Sequence, residues 1–203
     1  MEIIKKNKWV VILVVAVLAV LVWYLFQTYM VETYPVIKAA PDFEYVNVDG
    51  QPVSIENTNG KVRLLYYFYS HCPDVCLPTT HMLSKLQNHL KEKRGAFGEK
   101  TAILQVTFDP DRDTTERLQE VAASGPVQAD LNGWYFLRGD EEEVIATAKE
   151  YGTYIEKVDE EIYAHMNIFV LIDKDGNIRN YYNANDIELD PEDIADDMIR
   201  LSR

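Results

Sequence analysis

An uncharged apolar run over residues 9–26 (WVVILVVAVLAVLVWYLF) constrains this chain most. As an α-helix, a run of this length rises about 1.5 Å per residue and spans roughly 27 Å, close to the hydrocarbon thickness of a bilayer. It exceeds the apolar core of about 7–15 residues in a secretory signal peptide, and no small-x-small cleavage site follows closely. We therefore predict a single transmembrane anchor over residues 9–28 that is not cleaved.

Charges on either side of this run predict its orientation. Three lysines lie within the first eight residues, whereas the first charged residue after the run is Glu32. By the positive-inside rule, residues 1–8 are cytoplasmic and the rest of the chain lies on the extracytoplasmic face. No Arg/Ser-rich transit segment precedes the run, so a bacterial plasma membrane is favoured.

The remaining chain is predicted to be a tether, residues 29–40, followed by one extracytoplasmic domain, residues 41–203. From residue 31 on, 17 basic and 32 acidic side chains give a net charge of −15. Such a surface repels nucleic acid and anionic lipid, so we expect no nucleic-acid partner and membrane contact only through the anchor. A metal cation or a basic patch on a partner protein is favoured.

Hydrophobic patterning predicts the secondary structure of this domain. Alternating runs around Asp49-Gly50 predict a β-hairpin with a type I′ turn. Strands are predicted over residues 61–69, 101–109, 134–139 and 168–173, the last leading into a second hairpin. Helices are predicted over residues 76–93, 113–124, 140–152 and 190–203, the second with Asp113 and Glu116 as a capping pattern.

This order of strands and helices indicates an α/β fold with helices on both faces of a central sheet. A buried strand followed by a cysteine motif that opens a helix is the arrangement of the thioredoxin fold.

The only two cysteines, Cys72 and Cys76, lie at that strand–helix junction. Three uses compete: a structural disulfide, a redox couple, or two thiolates for one soft metal. Residues four apart on a helix have Cβ atoms about 5–6 Å apart, whereas a disulfide favours about 3.5–4.5 Å. Closing so short a loop contributes only about 2 kcal/mol. A purely structural disulfide is therefore the least favoured use.

The choice between a redox couple and a metal site depends on the segment before the strand at 168–173. Thioredoxin-fold oxidoreductases normally separate their cysteines by two residues and carry a cis-proline before this strand. Here three residues intervene, no proline lies between Pro126 and Pro191, and His165 precedes the strand. We expect that segment to pack beside the start of the cysteine-bearing helix. Two thiolates and one imidazole suit copper in either oxidation state, and also zinc, but not calcium or magnesium.

The other three histidines are weaker candidates. His81 and His89 lie on the helix after the cysteine motif, where we expect surface positions. His71 adjoins Cys72, but the backbone turn there is expected to direct its ring away from the cysteines.

Four segments carry a resemblance to the Sco/SenC family of membrane-anchored, copper-binding assembly factors of cytochrome c oxidase. They are CPDVC (72–76), TFDPDRDTTERL (107–118), WYFLRG (134–139) and HMNIFVLIDKDG (165–176), and the resemblance covers about residues 40–200. It implies that Cys72, Cys76 and His165 bind copper as Cu(I) or Cu(II). Two departures from the family pattern are Leu77, where a proline is usual after the second cysteine, and Ala164, where an aspartate often precedes the histidine.

The resemblance also implies supporting residues near the ligands. Asp109 and Arg112 are expected to fix the loop beside the site, with Asp113 also capping the helix that follows. Asp74, between the cysteines, is expected to tune the charge of the thiolates or to contact a partner.

The implied function is that of a copper metallochaperone rather than an enzyme. It would deliver copper to the dinuclear copper site of cytochrome c oxidase subunit II during assembly, with another copper chaperone as a candidate donor. The alternative is a thiol–disulfide reductant, or a redox sensor, that acts on the cysteines of that site through Cys72 and Cys76.

Overall fold

The structure is a computed structural model that describes residues 8–29, 34–72, 76–93, 95–159 and 162–203, without the side chains of residues 26–29, 76 and 77. The chain divides into two units, Met1–Pro35 and Val36–Arg203. Helix α1, Lys8–Tyr29, carries exposed apolar side chains from Trp9 to Leu25. Among the described residues it is the one helix long and apolar enough to cross a bilayer. The predicted anchor therefore lies on a helix of suitable length.

The second unit has a mixed eight-stranded sheet at its centre. Its strands are β1 (Lys38–Ala39), β2 (Glu44–Asn47), β3 (Pro52–Ser54), β4 (Val62–Phe68), β5 (Thr101–Thr107), β6 (Trp134–Arg138), β9 (Ile168–Ile172) and β10 (Asn177–Asn183). The spatial order is β1-β10-β9-β4-β5-β6-β2-β3. Strands β4, β5 and β6 are parallel, and the other neighbours pair antiparallel. Every residue of β4 and β5 is buried, as expected for central strands covered on both faces.

Four helices cover this sheet. They are α2 (Cys76–Glu92), α3 (Thr115–Ala123), α4 (Glu141–Glu150) and α5 (Pro191–Leu201). Connections between parallel neighbours are right-handed as a rule, so α2, between β4 and β5, and α3, between β5 and β6, belong to one face. Helix α5 packs against α2. On the other face, Tyr151 at the end of α4 contacts the ring of Tyr67, at 6.3 Å between centroids. The predicted α/β organisation with helices on both faces is confirmed.

Two local predictions were wrong. In the β2–β3 hairpin only Gly50 has positive φ (82°), and its N–H donates to the carbonyl of Asn47, whereas a type I′ turn needs positive φ at both central residues. The N-cap of α3 is Thr114, whose side chain accepts from the N–H of Arg117, and not Asp113. Asp113 has a different role, described below.

Three strands were not predicted. β1 lies within the segment predicted as tether and pairs with β10. A separate two-stranded hairpin consists of β7 (Ile155–Lys157) and β8 (Tyr163–His165), which pair antiparallel. His165 therefore ends a strand instead of lying in a loop.

Candidate metal centre

The sheet topology gathers the candidate residues at one edge. The segment with Cys72 follows the end of β4, and the segment with Asp109 and Asp113 follows the end of the parallel neighbour β5. Because β9 runs antiparallel to β4, its beginning lies at the same edge. His165 is three residues before β9, so it also lies near this edge.

Cys72 lies in a tight turn directly after β4. Its N–H donates to the carbonyl of Tyr69 at 3.4 Å, and the residue is 9% exposed. Cys76 is the first residue of α2, but its side chain lies outside the described part of the structure. The backbone thus places the two cysteines at the end of a buried strand and at the start of the next helix.

His165 packs on aromatic rings that belong to this edge. Its ring meets the ring of Tyr69 edge-on, with centroids 5.9 Å apart, and lies 5.2 Å from the ring of Phe108. Phe108 is fully buried and also contacts Tyr163, the residue two before His165 on the same face of β8. Tyr69 therefore connects His165 to the cysteine turn: its ring contacts the His165 ring, and its carbonyl accepts the N–H of Cys72. The assignment of the ligands stays a prediction.

Asp109 and Arg112 form an ion pair behind this cluster. The Nε of Arg112 donates to the Asp109 carboxylate at 2.5 Å, and its guanidinium carbon lies 5.8 Å from the centroid of the Tyr69 ring. Burial raises the pKa of Asp109, and the charge and hydrogen bonds of Arg112 oppose that rise. The pair holds the loop after β5 against Tyr69, consistent with a loop-fixing role. Asp74 lies outside the described residues.

Asp113 is the important side chain whose role the sequence did not reveal. It is fully buried, accepts the N–H of Ser70 at 3.0 and 3.2 Å, and accepts the hydroxyl of Thr107 at 2.5 Å. It therefore ties the cysteine turn to β5. Asp113 belongs to the acidic motif DPDRDT (109–114), but the local sequence pattern predicted only that it caps the following helix.

The other three histidines each have identified neighbours. The His71 ring contacts the hydroxyl of Ser70 at 3.2 Å and the Asp113 carboxylate at 3.5 Å. His81 is exposed, as predicted, and its Nδ1 lies 2.9 Å from the carbonyl oxygen of Pro126. His89 is half-buried at the surface. Its side chain is 12% exposed and lies between the carboxylates of Glu192 and Asp196, at 3.2 and 3.1 Å.

The donor atoms at this edge determine which metals the site fits. Within the described side chains, which exclude that of Cys76, no three His, Cys, Asp or Glu groups are arranged to hold an ion. Cys72 and His165 supply a thiol and an imidazole at this edge, and Cys76 adds a second thiol by its position in the chain. Two sulfurs and one imidazole nitrogen fit copper or zinc and do not fit calcium or magnesium.

Two protein relatives cover most of this chain. A SCO1 protein homolog from Bacillus subtilis is 30% identical over 160 residues, which are 77% of this chain and 79% of the relative. The mitochondrial protein SCO1 homolog 1 from Arabidopsis thaliana is 27% identical over 79% of this chain, and the match spans only 46% of its length.

Solved structures have the same fold. A SCO1/SenC family lipoprotein from Bacillus anthracis is 27% identical, with a TM-score of 0.73 over 82% of this chain and 96% of that one. BsSco, described as a member of the Sco family of cytochrome c oxidase assembly proteins with a disulfide switch, is 26% identical, with a TM-score of 0.72 over 85% and 98%. These two confirm the thioredoxin-like fold.

A more distant structure, Arabidopsis thaliana ScoI with copper bound, is 24% identical and shares the fold, with a TM-score of 0.65 over 80% of this chain and 98% of that one. The SCO1/SenC family model itself matches residues 32–203. Since that match covers the whole second unit and the fold agrees, this chain belongs to the SCO1/SenC family.

Proposed function

We propose that this protein binds copper through Cys72, Cys76 and His165 and delivers it to the dinuclear copper site of cytochrome c oxidase subunit II. The observation that carries the proposal is the position of His165, whose ring packs on Tyr69, the residue that accepts the N–H of Cys72. Support comes from the copper bound in the Arabidopsis ScoI structure and from the description of the Sco family as oxidase assembly proteins.

The donor set suits a carrier better than a catalyst. Two thiolates and an imidazole bind copper as soft ligands, and three protein ligands leave the ion open to a ligand of the receiving protein. Copper is then the cargo, and the protein itself is not an enzyme. A second copper chaperone is proposed as the donor.

The N-terminal helix is proposed to hold this carrier at the membrane. Helix α1 is long and apolar enough to cross a bilayer. With the lysines preceding it in the cytoplasm, the domain lies on the extracytoplasmic face of a bacterial plasma membrane.

Delivery is tested by removing the imidazole and leaving both thiols. Under copper limitation, a His165→Ala strain should lose oxidase activity about as severely as a Cys72→Ser strain. Added copper should restore the histidine variant in part, because mass action offsets a weakened site. His81→Ala, which removes an exposed histidine on α2, is the matched control and should retain activity. Normal oxidase assembly in the His165→Ala strain would contradict delivery.

A second candidate function is thiol–disulfide exchange, as a reductant or a redox sensor. The disulfide switch described for BsSco, which is 26% identical to this chain, supports thiol–disulfide exchange as the second candidate. A reductant needs only Cys72 and Cys76: one thiolate attacks the target disulfide, and the other resolves the mixed disulfide, leaving the protein oxidised and the target reduced. His165→Ala would then be active, whereas both Cys→Ser variants would be inactive.

A further inference from the structure

The β7–β8 hairpin that carries His165 has two faces of different character. Its inner face carries Ile155 and Tyr163, which are 7% and 5% exposed, and the ring of His165. Side chains alternate between the faces of a strand. The neighbours of these residues in sequence therefore belong to the outer face, which points away from Tyr69 and Phe108.

The outer face presents apolar side chains in cross-strand pairs. Tyr154 and Met166 are joined by the bond from Met166 N–H to the Tyr154 carbonyl at 2.9 Å, and their exposures are 53% and 42%. Val158 and Ile162 are joined by a 2.8 Å bond, and their exposures are 61% and 54%. Between the two pairs lies the exposed pair Glu156–Ala164. We call these six residues the outer hairpin face.

Two exposed apolar pairs on one face of the same hairpin differ from scattered exposed apolar residues. Single exposed aliphatic side chains are ordinary, and Val46 on β2 is one such case, at 51%. Several together on one sheet face mark an interaction site. The outer hairpin face belongs to the same two strands as His165, whose ring is on the inner face, so a protein bound there would contact the hairpin that carries the candidate copper ligand.

Charge identifies the chemistry of the occupant. Residues 154–166 contain four acidic side chains and one basic side chain, Lys157, which pairs with Glu141 at 2.9 and 3.0 Å. An anionic bilayer would be repelled by this hairpin, and a second copy would bring like charges together. A partner with an apolar patch bordered by lysine or arginine is complementary on both counts.

We propose that the outer hairpin face is the docking surface for the copper-receiving protein, which presents an apolar patch bordered by basic side chains. This inference rests on the proposed function, because it names the surface through which the carrier meets its recipient. Apolar contact holds the complex, and the acidic hairpin steers the basic border toward it.

The test uses the full-length protein in detergent, loaded with copper, and the purified copper-free domain of oxidase subunit II as the probe. Val158→Thr combined with Ile162→Thr keeps β-branched side chains and removes apolar surface. We expect at least a tenfold loss of affinity for the probe and a matching loss in the rate of copper transfer, with copper binding unchanged. The matched control, Val46→Thr with Ile37→Thr, changes the same residue types at 51% and 50% exposure and should bind as the original protein does.

The outcomes separate this inference from the proposed function. Transfer from the unsubstituted protein together with normal affinity in the Val158/Ile162 variant would overturn the docking surface alone. An unsubstituted protein that binds copper but never transfers it to the probe would overturn the proposed function, and the docking surface with it. The Val158/Ile162 variant could instead keep its affinity for the probe and lose self-association in sedimentation, in which case the occupant is a second copy. If it kept that affinity and lost binding to anionic vesicles, the occupant is the membrane. Either result also overturns the proposal.

Discussion

Both carboxylate oxygens of Asp113 accept the backbone N–H of Ser70, at 3.0 and 3.2 Å, although 43 residues separate the two in sequence. The same carboxylate accepts the hydroxyl of Thr107 on β5. One buried anion therefore holds the turn that leads into Cys72 against the neighbouring strand. The cysteine turn depends on this contact for its position, since charge-assisted hydrogen bonds are among the stronger ones in proteins.

Replacing Asp113 by alanine should destabilise the domain and loosen the metal site. Loss of hydrogen bonds to a buried charged group costs about 2–3 kcal/mol in the free energy of unfolding, and the N–H of Ser70 loses its acceptor. Urea unfolding followed by circular dichroism measures this change. Asp111→Ala, at an exposed position two residues away, is the control and should change the free energy by about 0.5 kcal/mol or less. Equal effects at the two positions would contradict the assigned role.

Copper titration of the purified protein without oxygen should separate the candidate ligands. Cys72→Ser and Cys76→Ser should each abolish the thiolate-to-copper charge-transfer band, because a neutral hydroxyl does not replace a soft thiolate. His165→Ala should weaken binding or shift the band. His71→Ala, which removes a ring that contacts Ser70 and Asp113, should leave the titration unchanged. If His71 affected the band and His165 did not, the assigned ligand set would be wrong.

The sequence predicted the central strands β4 and β5 because each is a nearly continuous apolar run, which is typical of a strand buried on both faces. It missed the β7–β8 hairpin because each strand has only three residues, and so short a hairpin is marginal by itself. The hairpin is stabilised by tertiary contacts of Tyr163 and His165 with Phe108. The role of Asp113 was missed for a similar reason, since its partners Ser70 and Thr107 lie outside any local pattern.

Gly139, in the WYFLRG segment, is predicted to be required by close packing. A Cβ at this position would lie 2.4 and 2.6 Å from two carbons of the Tyr45 ring, which is 1% exposed and stacks on Phe43 at 4.6 Å. Gly139→Ala should therefore cost about 1–3 kcal/mol of the free energy of unfolding. Gly125→Ala is the matched control, because nothing lies within 4 Å of its Cβ position. Similar unfolding curves for the two variants would contradict this account.

The predicted topology can be read from protease accessibility. If residues 1–8 are cytoplasmic and α1 crosses the membrane, protease added to intact protoplasts should degrade the domain and spare a short N-terminal fragment. Antibodies to tags at the two ends would follow the fragments, with lysed protoplasts as the control for cleavage. If the domain were protected in intact protoplasts and cut only after lysis, it would lie in the cytoplasm and the predicted orientation would be wrong.

The last prediction concerns acid stability and the buried carboxylate of Asp173. Burial by itself would raise the pKa of Asp173, but bonds from the backbone N–H groups of Asn177 and Asp175 and from Arg179 prevail and hold the pKa below its usual value. A carboxyl whose pKa is lower in the folded state stabilises the fold above its unfolded pKa, which is about 3.9. This contribution is lost as the pH falls below about 4 toward the folded pKa.

Replacing Asp173 by asparagine should remove that dependence. At pH 7 the variant should have a lower free energy of unfolding than the original protein, because the anion that pairs with Arg179 at 2.9 Å is gone. As the pH falls below about 4 the two curves should converge, since protonation removes the same charge from the original protein. Asp111→Asn, at an exposed position, should leave the curve of the original protein unchanged. Parallel curves for the Asp173→Asn variant and the original protein across this range would show that Asp173 does not contribute to acid unfolding.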